Sequence, residues 1–163
     1  ALKGIDIEVR AFEKLPDKKL YVAGNGPMME EMQRYVREHH MENVKFLGYL
    51  QKDEMSEKFY QAKAVIMTSQ CYEAFAMTIA EAYSYGVPVI AGRVGNMDGM
   101  VQDGITGVKF TYNSAEDLAD KISAFDAMDL SVLKKNARAF YAERLRPEDN
   151  YQKLIRIYED ISK

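Results

Sequence analysis

The sequence predicts an α/β fold in which a doubly wound parallel sheet is covered by helices on both faces and is followed by a helical C-terminal tail. Short apolar runs rich in β-branched residues alternate with segments of helical period. The glycine-rich turn Ala23-Gly24-Asn25-Gly26-Pro27 connects a strand pattern directly to a helix pattern. Every segment after Ser114 has a helical pattern.

The elements can be placed in order along the chain. Ile5, Val9 and Phe12, spaced by four and then three residues, predict an opening helix. The predicted strands are Leu20–Ala23, Val44–Leu47, Ala64–Thr68, Val87–Ala91 and, with a weaker pattern, Val108–Phe110. Helices are predicted between them at Met28–His39, Asp53–Gln61 and Ala76–Tyr85, the last of which ends at Gly86 before Pro88.

The tail is predicted to contain three helices. Ser114 is expected to cap the first of them, which has acidic residues in its first turn and an apolar face made by Leu118, Ile122 and Phe125. Leu130–Arg144 and Pro147–Ile161 follow. Tyr141, Tyr151 and Tyr158 are expected to contribute to packing.

The opening helix is unusual, because a doubly wound unit normally begins with a strand in the middle of its sheet. We therefore expect the first strand to be missing from this segment. The expected consequence is an open groove between the strands Leu20–Ala23 and Ala64–Thr68, with unpaired backbone groups on both sides.

Length and composition favour one compact domain over residues 1–163. The sequence has no membrane-span pattern and no signal segment, so a cytoplasmic protein is expected. The 22 basic and 25 acidic residues are mixed along the chain, which argues against a nucleic-acid partner. The single cysteine excludes an internal disulfide, and no Asp-x-Asp pair indicates a metal site.

Two glutamates are the only charged residues between Ala64 and Gly92, namely Glu73 and Glu81. A desolvated carboxylate is costly unless something compensates it, so the pair suggests a site. Glu73 is predicted in a loop before a helix, whose free N–H groups favour anions. The alternative is that Glu73 only complements the helix dipole and Glu81 only bonds a neighbouring backbone group.

Other candidate residues follow the predicted strands, namely Gly24, Gly26, Leu50 and Gly95. Loops at the carboxyl ends of parallel strands form the ligand crevice of such sheets, so these residues are expected to converge on one rim. The glycine turn does not match a dinucleotide fingerprint, because Met29 occupies the place of the third glycine. A tight turn without any ligand is the alternative for this segment.

Several motifs occur together in an order that resembles the retaining GT-B glycosyltransferases of family 4. They are Lys3-Gly4, Gly24-Asn25-Gly26-Pro27, Val44-Lys-Phe-Leu-Gly48, Glu73-x7-Glu81, Glu81-Ala-Tyr-Ser-Tyr-Gly-Val-Pro-Val-Ile90, Gly95 and Val101-x-Asp-Gly104-x-x-Gly107. The resemblance implies a Rossmann-like, C-terminal, donor-binding domain of a two-domain enzyme. Such an enzyme transfers a hexose-type sugar from a UDP-, GDP- or ADP-sugar, with retention of configuration and without a cofactor.

The resemblance also implies roles for individual residues. Lys3 would pair with the donor phosphates, Gly24 and Gly26 would form the turn near the donor, and the Leu50 backbone would meet the nucleobase. Glu73 would act at the transferred sugar and Glu81 would accept hydrogen bonds from ribose. The segment made of Phe75, Ala76, Met77 and Thr78 would present amides to sugar and phosphate.

The rest of the enzyme is implied to lie outside this chain. The acceptor glycan or lipid would bind an absent N-terminal domain, and any association with a membrane surface would also depend on that domain. The isolated chain is therefore expected to be inactive. A role in polysaccharide biosynthesis fits the resemblance. The alternatives are a non-catalytic nucleotide-sugar binding or regulatory module and an interaction domain without a ligand.

The sequence departs from the family pattern at two motifs. The family's Glu-Gly-Phe-Gly reads Glu73-Ala-Phe-Ala76, so two glycines are replaced by alanines. The family's Gly-Gly-x-x-Glu reads Gly95-Asn-Met-Asp-Gly99, in which Asp98 stands one place before the position of the acid. Both main glutamates are retained.

Overall fold

The structure, a computed structural model, describes residues 3–72 and 74–161. In chain order the elements are α1 (Ile5–Glu13), β1 (Leu20–Ala23), α2 (Met29–Glu38), β2 (Val44–Gly48), α3 (Lys52–Gln61), β3 (Val65–Met67), α4 (Met77–Ser84), β4 (Val89–Gly92), α5 (Gly95–Met100), β5 (Gly107–Phe110), α6 (Ala115–Phe125), α7 (Leu130–Arg144) and α8 (Pro147–Ile161). The predicted alternation of strands and helices is confirmed.

The strands form two parallel sheets. β1 pairs with β2, with Leu20 opposite Val44. β4 lies between β3 and β5, with Val89 opposite both Val65 and Gly107. Within the described residues β1 and β3 do not pair with each other, as expected for a sheet that is open at that place.

Helices cover both faces, as the doubly wound prediction requires. One core lies beneath α1, α2 and α6 and includes side chains from both sheets, among them Val22, Ile90 and Phe110. The second core lies on the other side and is formed mainly by α3, α4, α5 and α7 against β3 and β4. Burying these apolar side chains is the main stabilising contribution to the fold.

Local signals explain several helix starts. The Ser114 hydroxyl accepts a hydrogen bond from the Asp117 amide, as predicted. Asp129 caps α7 through the amides of Ser131 and Val132. At α3 the Glu54 carboxylate accepts a hydrogen bond from the backbone N–H of Gln51, which completes a capping box.

The helix α8 differs from expectation. The packing role predicted for Tyr151 and Tyr158 is wrong for the described residues, because each is 60% exposed and α8 has no buried side chain. Tyr141, on α7, does pack against the second core. None of the helices in the described part of the chain is long and apolar enough to cross a bilayer.

The bounds of β3 and β4 and one helix also differ from the prediction. β4 begins at Val89 rather than Val87, because the Val87 amide bonds the Ala82 carbonyl at the end of α4 and Pro88 has no N–H. β3 is shorter at both ends than predicted. The sequence analysis did not predict α5, a six-residue helix with glycine at its first and fifth positions.

Candidate functional site

The loops after β1 and β2 meet at the carboxyl ends of their strands. The Gly24 amide donates a hydrogen bond of 2.7 Å to the Gly48 carbonyl. Gly24 has φ of +111°, a conformation that side-chain-bearing residues rarely adopt. Gly26 is exposed and Leu50, two residues after β2, is partly buried. The structure therefore brings together the two loops that contain these predicted residues.

The turn Lys3-Gly4 is fixed at the carboxyl end of β3. The Thr68 hydroxyl donates a hydrogen bond of 2.9 Å to the Lys3 carbonyl. Gly4 has φ of +69°, and a Cβ atom there would lie 2.2 Å from the Thr68 carbonyl oxygen. Only glycine fits this contact without a shift of backbone. Lys3 itself is exposed.

The loop after β3 is attached to the start of α5. A Cβ atom on Gly95 would lie 3.3 Å from the Tyr72 Cα atom, so the two backbones approach closely here. The Asn96 side-chain amide donates a hydrogen bond to the Ala74 carbonyl. Glu73, the predicted sugar-binding acid between these two contacts, lies outside the described residues.

The same loop is attached to the segment after β5. The Gln70 side-chain amide donates to the Asn113 side-chain oxygen at 3.0 Å, and the Tyr112 hydroxyl donates to the Gln70 carbonyl at 3.2 Å. Residues from the carboxyl ends of β3, β4 and β5 are thus brought together. This convergence is the one expected at the crevice of a doubly wound sheet.

The helix α4 begins at this rim. Ala76, its N-cap residue, is fully buried and has φ of −81°, so alanine occupies this family glycine position without strain. An alanine cap has no side-chain acceptor for the first amides of the helix. Phe75 and Met77 are 48% and 59% exposed, and Thr78 is partly buried. Phe75 and Met77, on either side of the buried N-cap residue, are therefore at the surface.

The exposure of Glu81 differs from what the sequence analysis predicted. The sequence analysis treated it as a desolvated carboxylate, but it is exposed one helical turn after Met77, whereas Ile79, Ala82 and Tyr83 are buried. The argument from the cost of a desolvated carboxylate therefore fails for Glu81. Its exposure leaves the carboxylate accessible on the same helix face as Met77.

Asp98 stands one place before the position of the family's acid, and its carboxylate is engaged in ion pairs. Its carboxylate lies 3.0 Å from the Lys109 ammonium and 3.9 Å from the Arg93 guanidinium. Arg93 also pairs with Asp103 at 2.8 Å. Asp98 is thus part of a network of ion pairs that connects α5 with the residue after β4, the segment before β5 and β5 itself.

A partly buried acid that the sequence analysis missed is Glu8. The Thr68 hydroxyl lies 2.8 Å from its carboxylate, and burial raises the pKa of Glu8 to about 7 against the opposing effect of that hydrogen bond. The nearby Asp6 raises the pKa further. Its spacing of three residues from Ile5 and four from Phe12 puts it on the apolar face of α1, and this signal could have identified it.

Thr68 connects this acid to the rim. Its hydroxyl lies within hydrogen-bond distance of both the Lys3 carbonyl and the Glu8 carboxylate. One hydroxyl proton cannot serve two acceptors at once, whereas a protonated Glu8 can donate to Thr68 while Thr68 donates to Lys3. The raised pKa of Glu8 agrees with that arrangement. No sequence pattern identified Thr68 or Asn96, because their partners are distant in the chain.

Comparison with known proteins identifies the family. The profile of the family described as "Glycosyl transferases group 1" matches residues 1–139. The sulfoquinovosyl transferase SQD2 of Arabidopsis thaliana is 29% identical over 141 residues, which are 83% of this chain and 27% of that protein. The N-acetyl-alpha-D-glucosaminyl L-malate synthase of Bacillus anthracis is 28% identical over 98% of this chain and 42% of that protein.

Solved structures share the fold. A glycosyltransferase from Rickettsia africae superposes with a TM-score of 0.88 at 23% identity, over 100% of this chain and 45% of that one. Anabaena HepE, crystallised with UDP and glucose, gives 0.85 at 23% identity, over 98% of this chain and 45% of that one. The chain spans less than half the length of these relatives. It has the Rossmann-like fold of a GT-B C-terminal half and belongs to the group 1 family of glycosyl transferases.

Proposed function

We propose that residues 1–163 form the donor-binding domain of a retaining, family 4 hexosyltransferase that uses a nucleotide-sugar. The acceptor, a glycan or lipid, would be bound by a part of the protein outside this chain. Transfer would then take place between the two parts, so the chain alone would bind donor without transferring sugar. Polysaccharide biosynthesis is the process that we propose for the whole enzyme.

The observation that carries the proposal is the arrangement of the rim. The Lys3-Gly4 turn and the loop before α4 both meet the carboxyl end of β3, and Glu81 is exposed on α4 itself. A cation and a helix N-terminus suit the negative charge of a diphosphate, and a carboxylate accepts hydrogen bonds from the ribose hydroxyls. The similarity to HepE, whose structure contains UDP and glucose, supports the same ligand class.

The proposed chemistry assigns each group a part. Lys3 and the amides at the start of α4 would stabilise the negative charge that develops on the departing nucleoside diphosphate. Glu81 would accept hydrogen bonds from the ribose hydroxyls. Gly24 and Gly26 would form the turn near the donor, and the Leu50 backbone would meet the nucleobase. Glu73 would act beside the anomeric carbon, where a carboxylate stabilises developing positive charge.

A non-catalytic nucleotide-sugar binding module is the second candidate. The observation that favours it is Gly99, which occupies the place of the family's acid, together with the use of Asp98 in ion pairs. Sugar transfer by the complete protein distinguishes the two functions. A catalytic enzyme transfers sugar to an acceptor and loses that activity on Glu73→Gln, whereas the binding module transfers none.

The test for the site is calorimetric titration of the 163-residue chain with UDP, GDP and ADP. We expect one of them to bind with a Kd of about 0.1–1 mM, or roughly 4–5.5 kcal/mol. Glu81→Gln should weaken that binding by about 10-fold or more, because it removes a charge-assisted hydrogen bond to ribose. Glu73→Gln should change it little, because these probes contain no sugar to be transferred.

The matched control is Glu38→Gln, an equal loss of charge at an exposed position in the last turn of α2, away from the rim. It should leave the affinity unchanged. A stronger effect of Glu73→Gln than of Glu81→Gln would overturn the assignment of roles. If Glu73→Gln or Glu81→Gln lowers the melting temperature but leaves the nucleotide affinity unchanged, the carboxylate replaced in that variant is only structural.

A further inference from the structure

The exposed segment before α4 is held at two points. At its C-terminal side the Ala76 methyl group is fully buried, and the Met77 amide donates a 3.0 Å hydrogen bond to the Phe75 carbonyl. At its N-terminal side the Ala74 carbonyl accepts the hydrogen bond from the Asn96 side chain. Between the two points Phe75 is 48% exposed.

Asn96 is itself held in place. It is the second residue of α5, and the buried side chains of Met97 and Met100 fix that helix against the second core. The preceding residue, Gly95, has φ of +51° and packs closely against Tyr72. The amide that reaches Ala74 therefore projects from a backbone that is fixed on both sides.

Asparagine suits this position for a chemical reason. The acceptor is a carbonyl, so its partner must be a donor, and the side-chain amide provides two N–H groups on a short stem. An aspartate of the same shape would place a carboxylate against a carbonyl oxygen. An alanine at position 96 would leave the Ala74 carbonyl without this donor, so that only water could bond it. Both ends of the hydrogen bond also depart from the family pattern, because Ala74 and Asn96 replace residues that are glycine there.

We propose that Asn96 is a positioning residue that fixes the backbone from Ala74 to Met77 for contact with the donor sugar and phosphate. This inference rests on the proposed function for the identity of the ligand. Its geometric part, the restraint of the segment by the Asn96 amide, depends only on the contacts described above. The two parts can be tested separately.

The geometric part is tested by backbone hydrogen exchange in the unliganded 163-residue chain. In Asn96→Ala and in Asn96→Asp the amides of Met77 and Ile79, which donate to the Phe75 and Ala76 carbonyls, should exchange about 3- to 10-fold faster, the equivalent of one ordinary hydrogen bond. The control is Asn136→Ala, which removes an exposed amide that donates to the Ile105 carbonyl away from the rim. Unchanged exchange in both Asn96 variants would overturn the proposal.

The ligand part is tested by comparing the affinities for UDP and for UDP-glucose. Asn96→Ala and Asn96→Asp should weaken UDP-glucose binding by about 3- to 10-fold, with a smaller change for UDP. Equal affinity of wild type and both variants for UDP-glucose would refute a role in donor binding. If the wild-type chain binds neither probe, the proposed function fails for a UDP-sugar, while the exchange result still decides whether Asn96 positions the segment.

Discussion

Replacing Gly4 by alanine should destabilise the fold by an amount that the geometry allows us to work out. The φ of +69° costs a side-chain-bearing residue about 1–3 kcal/mol. The added Cβ would lie 2.2 Å from the Thr68 carbonyl oxygen, and forcing an extra methyl group into a packed site costs about 1–3 kcal/mol more. The expected loss is about 2–6 kcal/mol, or at least about 4 °C in Tm for a chain of this size.

Two other glycines on the rim provide the controls. Gly24 has φ of +111° and no atom within 4 Å of an added Cβ, so Gly24→Ala should cost only the conformational term of about 1–3 kcal/mol. Gly26 has neither constraint, so Gly26→Ala should be neutral or stabilise by up to about 1 kcal/mol. Thermal unfolding followed by circular dichroism measures all three. A Gly4→Ala variant as stable as Gly26→Ala would refute the reasoning.

The remaining predictions concern pH and the open sheet edge. Because the pKa of Glu8 is raised from 4.5 to about 7, the folded state binds its proton more tightly, and the free energy of unfolding should fall by up to about 3 kcal/mol as pH rises through that interval. Denaturation at several pH values should show that the free energy of unfolding of Glu8→Gln depends less on pH than that of the wild type. An equal pH dependence would contradict the raised pKa of Glu8. In hydrogen exchange, the amides of Tyr21 and Ile66 should exchange at least about 10-fold faster than those of Leu20 and Val65, which bond neighbouring strands. Equal protection would mean that β1 and β3 are paired.

The sequence predicted the architecture well because its signals are local. Apolar β-branched runs identified all five strands, and the Ser114 cap identified the start of α6. The helix α5 lacked such a signal, since a short segment with two glycines has low intrinsic helix propensity. It forms because Met97 and Met100 are buried against the second core, which is a tertiary effect.

The site was predictable only in part, for a related reason. Strand order indicates which loops share a rim, and the structure brings those loops together within each sheet. The exposure of Glu81 depends on which face of α4 packs inward, and Ile79 and Tyr83, four residues apart, mark the buried face. The hydrogen bond between Asn96 and Ala74 joins residues 22 positions apart, so no local pattern could reveal it.

The position of α1 has a mechanical consequence. α1 packs against both α2 and α6, and its buried side chains share one core with β1 and with β5. Within the described residues the two sheets share no backbone ladder, so a tilt of one sheet reaches the other through side-chain packing, to which α1 contributes. Lys3 precedes the first turn of this helix. A rotation of α1 against this core would therefore change the distance between the Lys3 backbone and the Gly24 turn, so the packing of α1 contributes to the width of the crevice.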